Sequence, residues 1–280
     1  MTTDSEGRQA DPDLAATLRR LRKAAGLSGE RLAVRCAMSQ SKISRIESGK
    51  VLPTALDVER MLTALDVPAD VARELISIAR RANVEHVSWR AMAETGLWRK
   101  QIELKALAES CTTQRLFLPA IPSGLLQIPD YARAAVTPVV TSSPGTNVEK
   151  ALQGRLEQQT VLNDGSRRFL FVLTEQAVRW RRAGREIMAR QCAHMAELTM
   201  RPTIDLAIIP QSAEIPGAAF NTFVIYDDRF VVAELFSGEM VLRDPRDVQH
   251  HRNLFEFFRE RALTGERARA FLLAVRDDFM

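Results

Sequence analysis

Between Leu27 and Pro53 the chain has room for two very short helices and little else. Ser28 can cap the first, Gly29–Cys36, whose inward residues are Leu32, Ala33 and Cys36. Ala37-Met38 leaves only a tight corner before Ser39, which caps the second. That helix turns Ile43 and Ile46 inward and leaves Gln40, Ser41, Ser44 and Arg45 facing out, until Ser48-Gly49 ends it. The flanking sequence supplies three more helices. From Asp13, Leu14, Leu18, Leu21 and Ala25 recur at helical spacing up to Gly26. Pro53-Thr54 precedes Ala55–Asp66, with Val58, Met61, Leu62 and Leu65 inward, and Pro68 opens a fifth helix that runs to about Ala82.

Two short helices joined by a three-to-four residue corner form a unit that reads duplex DNA, the second helix entering the major groove. Its outward residues suit that task. Gln40 can pair with adenine through two hydrogen bonds and Arg45 with the O6/N7 edge of guanine, while Ser41 and Ser44 are short enough to reach a base edge or a phosphate. Ser28, Gly29 and Ser39 at the helix starts, with Lys42, Ser48 and Lys50, stand where phosphate contacts are expected. The net charge of +4 settles little, but its distribution is uneven. Arg19, Arg20, Arg22, Lys23, Arg31, Arg35, Lys42, Arg45 and Lys50 crowd residues 14–50, opposed by Glu30 and Glu47. On charge alone, a phosphate-facing stripe and a solvated basic face read alike.

Leu32-Ala33, Met38-Ser39-Gln40-Ser41, Ile43-Ser44-Arg45-Ile46-Glu47-Ser48-Gly49-Lys50 and Pro53-Thr54 together resemble the phage-repressor-like family of bacterial regulators named for the xenobiotic response element. The resemblance spans about residues 13–82. It implies a five-helix repressor-like domain in which Gln40, Ser41 and Arg45 read bases and Glu47 orients its neighbours. Two positions depart from the pattern. The corner position that usually carries Gly, because it needs φ > 0, is Ala37, at roughly 1 kcal/mol of backbone strain. Gly29 stands where a phosphate-gripping Gln is common and offers only its backbone N–H.

Residues 1–12 read as a loose tail, 13–83 as the DNA-binding domain, 84–111 as a helical linker and 112–280 as a second domain. The linker's Trp89, Met92, Leu97, Trp98, Ile102, Leu104 and Leu107 suit interdomain or dimer packing, with Gly96 a possible break. Beyond it, Thr113–Leu118 alternates like a strand. Pro122-Ser123-Gly124-Leu125-Leu126-Gln127-Ile128-Pro129-Asp130-Tyr131-Ala132-Arg133-Ala134 resembles the signature of a C-terminal domain of unknown function common in actinobacterial regulators, where it follows a reader of this kind. Helices at about 147–164, 175–181 and 185–200, strands at 168–173, 203–209, 220–226, 229–235 and 239–242, and closing helices at 245–262 and 266–279 complete the pattern. Strands grouped between helical blocks predict an α+β domain with an antiparallel sheet, so the whole chain is mainly α plus α+β.

No constellation points to catalysis, and the chain reads as a non-enzyme without cofactor or metal. Ser39-Gln40-Ser41-Lys42 spells S-x-x-K, but the S-D-N and K-T-G segments that accompany it in penicillin-recognising enzymes are missing. Ser237-Gly238-Glu239-Met240 only superficially matches the nucleophile turn of self-cleaving repressors. His250-His251 suits solvent or packing, and Cys36, Cys111 and Cys192 are too scattered for a disulfide framework or a metal site. Apolar residues around Trp180, Phe220 and Phe223 suit core packing better than the lining of an effector pocket, and no ligand is assigned. No secretory signal or membrane-length apolar run is present, so a cytoplasmic location is expected. The expected partners are double-stranded DNA and a second copy of the chain. One functional reading is a homodimeric transcription regulator on a two-fold operator, whose C-terminal domain senses a ligand or a protein. The other, implied by the family, is an antitoxin-like protein that sequesters a small neighbouring-gene product and regulates its own synthesis.

Overall fold

The computed structural model describes residues 12–89, 92, 97–137 and 147–280. Of the expected tail over 1–12, Pro12 opens the first helix and the rest lies outside the described residues, as does the break at Gly96. The chain divides into two compact units, residues 1–85 with 242–245, and residues 86–241 with 246–280.

The first unit consists chiefly of five helices: α1 (Pro12–Ala24), α2 (Gly29–Arg35), α3 (Gln40–Glu47), α4 (Ala55–Ala64) and α5 (Ala69–Ala82). Leu14, Leu18, Leu32, Ile43, Ile46, Val58, Met61 and Leu62 meet in its core. Each of α1 to α4 ends in the same hydrogen-bonded turn, in which one residue enters the left-handed region so that two amides can reach back to the last carbonyls. That residue is Gly26 (φ 67°), Ala37 (φ 52°), Gly49 (φ 72°) and Asp66 (φ 51°) in turn. At Ala37 the two reaching bonds are Ala37 N–H to Val34 O, 3.2 Å, and Met38 N–H to Ala33 O, 2.9 Å. The corner thus adopts the backbone that glycine prefers, without having glycine.

A seven-stranded sheet organises the second unit, in the order β1-β7-β6-β5-β2-β3-β4. The strands are β1 (Val84–Ser88), β2 (Thr113–Leu118), β3 (Arg168–Thr174), β4 (Ile204–Ile209), β5 (Phe223–Tyr226), β6 (Phe230–Leu235) and β7 (Gly238–Leu242). Between and after them run α6 (Leu97–Glu109), α7 (Pro129–Val136), α8 (Val148–Gln158), α9 (Glu175–Arg179), α10 (Arg185–Leu198), α11 (Pro245–Arg259) and α12 (Gly265–Phe279). The sheet is mixed, not antiparallel as expected. β2, β3 and β4 are parallel, while β5 runs antiparallel to β2 and to β6. The reason lies in the connections: α7 and α8 separate β2 from β3, and α9 and α10 separate β3 from β4. Such helical crossovers return the chain in the same direction. Phe169–Leu173 and Leu206–Ile209 are near-continuous apolar runs, the mark of strands covered on both faces.

On one face Leu116, Phe171, Leu206 and Val232 pack with Met188, Cys192 and Leu272 from the helices. On the other, Phe117 stacks between Phe258 (4.3 Å) and Phe223 (5.2 Å). Phe223 therefore has the packing role expected of it, but Trp180 and Phe220 do not: both are exposed. The linker expectation also needs correction. Val84–Ser88 is a strand at the sheet edge rather than part of a helix, and Trp89 donates its indole N–H to Leu235 O at 2.8 Å. Val84 and Val87 favour an extended backbone, and the edge of β7 that β6 leaves open is available to them. Among the described residues no helix is long and apolar enough to cross a membrane.

Replacing Ala37 with Gly is expected to raise the thermal midpoint of the first unit by several degrees, equivalent to about 1 kcal/mol, with Ala37→Val moving it down. Calorimetry on the two variants checks both signs.

Candidate nucleic-acid interface

The caps of α2 and α3 form from the serine that precedes each helix. Ser28 Oγ accepts from Arg31 N–H at 3.1 Å, and Ser39 Oγ from Lys42 N–H at 3.2 Å. With Ile43 and Ile46 buried, helical geometry turns Gln40, Ser41, Ser44 and Arg45 outward together, and all four are exposed. Gly29 brings the start of α2 beside this row: a Cβ built on it would lie 4.0 Å from Gln40 Nε2. Ser28, Ser39, Ser48 and Lys50 are exposed around the same helix ends, and Ser48 Oγ donates to Arg45 O at 3.2 Å. The structure therefore gathers the sequence-derived base and phosphate candidates on one side of α2 and α3, with one member engaged elsewhere.

That member is Lys42. Its ammonium donates to Asp57 Oδ1 at 2.7 Å. Asp57 is buried, and its other oxygen accepts from Thr54 N–H at 3.1 Å while Thr54 Oγ1 accepts from Asp57 N–H at 3.1 Å. Lys42 thus supplies the countercharge of a capping box on α4. The S-x-x-K pair is accordingly occupied by a helix cap and an ion pair. Asp57 went unassigned in the sequence, although Thr54-x-x-Asp57 has the capping-box spacing.

Arg22 is likewise not a free member of the basic stripe. Its guanidinium grips Glu47 through two hydrogen bonds of 2.6 and 2.7 Å, and its third donor reaches Leu27 O at 2.7 Å. The side chains are only 14% and 7% exposed. The Glu47 carboxylate, by bonding it, pushes the Arg22 pKa above its ordinary value despite partial burial. The pair ties the last turn of α1 to the end of α3. Arg19, Arg20, Lys23, Arg31, Arg35, Arg45 and Lys50 remain exposed, so the stripe is real but two charges smaller than the sequence count.

In the second unit the signature segment is held by glutamine side chains. Gln127, almost wholly buried, donates to Pro122 O at 2.8 Å and accepts from Arg155 Nη1 at 2.9 Å. Gln159 donates to Gly124 O (2.8 Å) and Gln127 O (2.7 Å). Gln191 donates to Leu126 O at 2.7 Å and accepts from Ile128 N–H at 2.9 Å. These amides satisfy a buried irregular backbone that has no ladder of its own. Gly124 admits the Arg155 side chain, whose Nε would lie 3.2 Å from a Cβ there. Elsewhere, His251 donates its Nδ1–H to Asp247 O at 2.8 Å and sets its ring against Phe223, in keeping with a packing role. Cys36, Cys111 and Cys192 are buried thiols whose pKa values burial raises, that of Cys192 to about 12. Among the described residues no group of histidine, cysteine and acidic side chains is arranged to hold a metal.

Arg22→Met leaves the mostly buried Glu47 carboxylate without its partner, and Glu47→Gln leaves the Arg22 guanidinium without its countercharge. Each is expected to lower the stability of the first unit by about 2–3 kcal/mol, and the double variant by less than the sum. A double-mutant cycle by thermal unfolding measures the coupling.

Residues 13–75 match a helix-turn-helix domain, which makes the chain a helix-turn-helix DNA-binding regulator. No curated protein matches the chain. Among solved structures, a phospholipase D family member, Nuc from Salmonella typhimurium, is 11% identical over 59% of this chain and 89% of its own, with a TM-score of 0.34. TrmBL2, an archaeal chromatin protein, is 12% identical over 74% of this chain and 66% of its own, with a TM-score of 0.33. Residues 101–274, well over half the chain, match the family described as "Domain of unknown function (DUF5753)", and the chain belongs to that family.

Proposed function

We propose that the chain is a transcription regulator of the xenobiotic-response-element type that binds a two-fold operator as a homodimer. The observation that carries this reading is the outward row Gln40, Ser41, Ser44 and Arg45 on a helix whose opposite face is locked into a core. A helix of eight residues contacts only a few base pairs. Two copies on half-sites about one helical turn apart gain specificity and affinity by linkage. Arg45 reads guanine and Gln40 adenine in this proposal. Ser28, Gly29, Ser39, Ser48 and Lys50 contact phosphates, and Lys42 adds its field to the site while bonded to Asp57. The C-terminal unit acts by binding rather than by catalysis. It senses a ligand or a protein and so sets when the reader engages DNA in the cytoplasm.

DNA selected from a random pool should show two related half-sites. Arg45→Ala should weaken binding to that sequence by about 1–3 kcal/mol and relax preference at one position of each half-site. Lys50→Ala should weaken all sequences alike and reduce the salt slope by about one. An unchanged preference in Arg45→Ala, measured by gel shift against the selected and scrambled sequences, overturns the assignment of α3.

A further inference from the structure

Helices α10 and α12 pack along one another within the second unit. Cys192, Met195 and Ala196 of the first and Ala268, Leu272 and Val275 of the second lie in the core. A helix turns by about 100° per residue, so the position after each core residue looks out of the seam. Those positions are Ala193, Ala196 and Glu197 on α10 and Arg269, Leu273 and Arg276 on α12. Together with Met200, just beyond the end of α10, they line a groove of about 510 Å³ that is half open to solvent. The alanines keep it open, since longer side chains at either position would fill it.

The groove carries opposite charges on its two walls. Glu197, on the α10 wall, is exposed, and its carboxylate takes part in no hydrogen bond or ion pair among the described residues. Arg269 and Arg276 stand two turns apart on the α12 wall. Among the described residues they bond acids of their own helix, Glu266 at 3.4 Å and Asp277 at 2.7 Å. Those acids are 73% and 54% exposed, so the pairs are screened and readily exchanged. An anionic occupant would be repelled by Glu197, and a cationic one by the two guanidinium groups. The lining instead complements a surface that bears both signs in the reverse order.

We infer that the groove between α10 and α12 is where two copies of this chain join. A two-fold axis running along the groove sets α10 of each copy over α12 of the other. The same patch is then used twice, and it is complementary to itself. Each Glu197 faces the guanidinium groups of the opposite copy, and both ion pairs form by symmetry. Met200, 63% exposed, supplies apolar contact. It is unbranched and adaptable, and it can fill the space that the alanines leave in the other copy. The inference locates the self-association proposed for the regulator and rests on that reading.

Sedimentation equilibrium of the full chain tests it. The parent chain should dimerise at micromolar concentration. Glu197→Arg lines the groove with cations alone, and the double variant Arg269→Glu/Arg276→Glu lines it with acids alone. Each should raise the dimer dissociation constant roughly tenfold or more. Mixed in equal amounts, the two should pair again, because only the mixture opposes unlike charges. Recovery on mixing cannot come from unfolded chains, so it separates a broken interface from a broken fold. Met200→Asp should weaken the dimer by a similar factor. A monomeric parent, which leaves the groove to some other occupant, overturns the inference. So does a dimer indifferent to these variants, or failure of the mixture to recover. Selected DNA separates this surface from the reading beneath it. Paired half-sites bound by a dimer that ignores these variants remove only this surface, whereas a single half-site bound by monomers removes the proposed homodimer as well.

Discussion

The reading domain depends on the two-pronged grip of Arg22 on Glu47. Burial of Ile43 and Ile46 holds α3 against the core, but apolar contact is non-directional and tolerates rotation of a short helix about its axis. A planar guanidinium bonded to both carboxylate oxygens does not. Its third bond, to the carbonyl of Leu27, anchors the same cation to the turn that launches α2. One side chain thus sets the angle between the two helices and the azimuth of the residues that face outward. Lys42 and Asp57 repeat the device on the other flank, fastening α3 to the start of α4.

Much of this was legible in the sequence, because the small domain is punctuated so densely. Ser28, Ser39, Gly26 and Gly49 mark helix boundaries through local chemistry, and the structure places caps and left-handed turns at those residues. Even the strained corner at Ala37 could be inferred from what the turn demands. Charge was less informative. Counting cations cannot distinguish one that faces solvent from one that neutralises a buried acid, and Arg22 and Lys42 belong to the second kind. In the larger unit, strand positions followed from apolar runs, but direction did not. Parallel pairing is decided by which helices lie between strands, a tertiary fact, and grouping the strands by type concealed those crossovers. Val84–Ser88 was missed for a related reason: an edge strand gains its hydrogen bonds from a partner more than a hundred residues away in sequence.

The signature around Gly124-Leu125-Leu126-Gln127 shows how a motif can be recognisable without revealing its purpose. Most of its polar contacts are internal, with Gln127, Gln159 and Gln191 serving as neutral donors and acceptors for a backbone that cannot pair as strand or helix. An amide fits that task because it brings no charge to be desolvated. Arg155 is the exception in the group. It supports Gln127 with one nitrogen, while its Nε is buried without a partner among the described residues.

The left-handed alanine at the corner has a consequence for the lifetime of the protein as well as its shape. Strain at Ala37 is carried only by the folded chain, and it narrows the margin between the native domain and the states that proteases attack. DNA that binds the folded form alone widens that margin in proportion to occupancy. A regulator with a generous margin persists whether or not it is at work. One with a narrow margin survives longest where it is bound, so its abundance comes to follow the number of sites it holds.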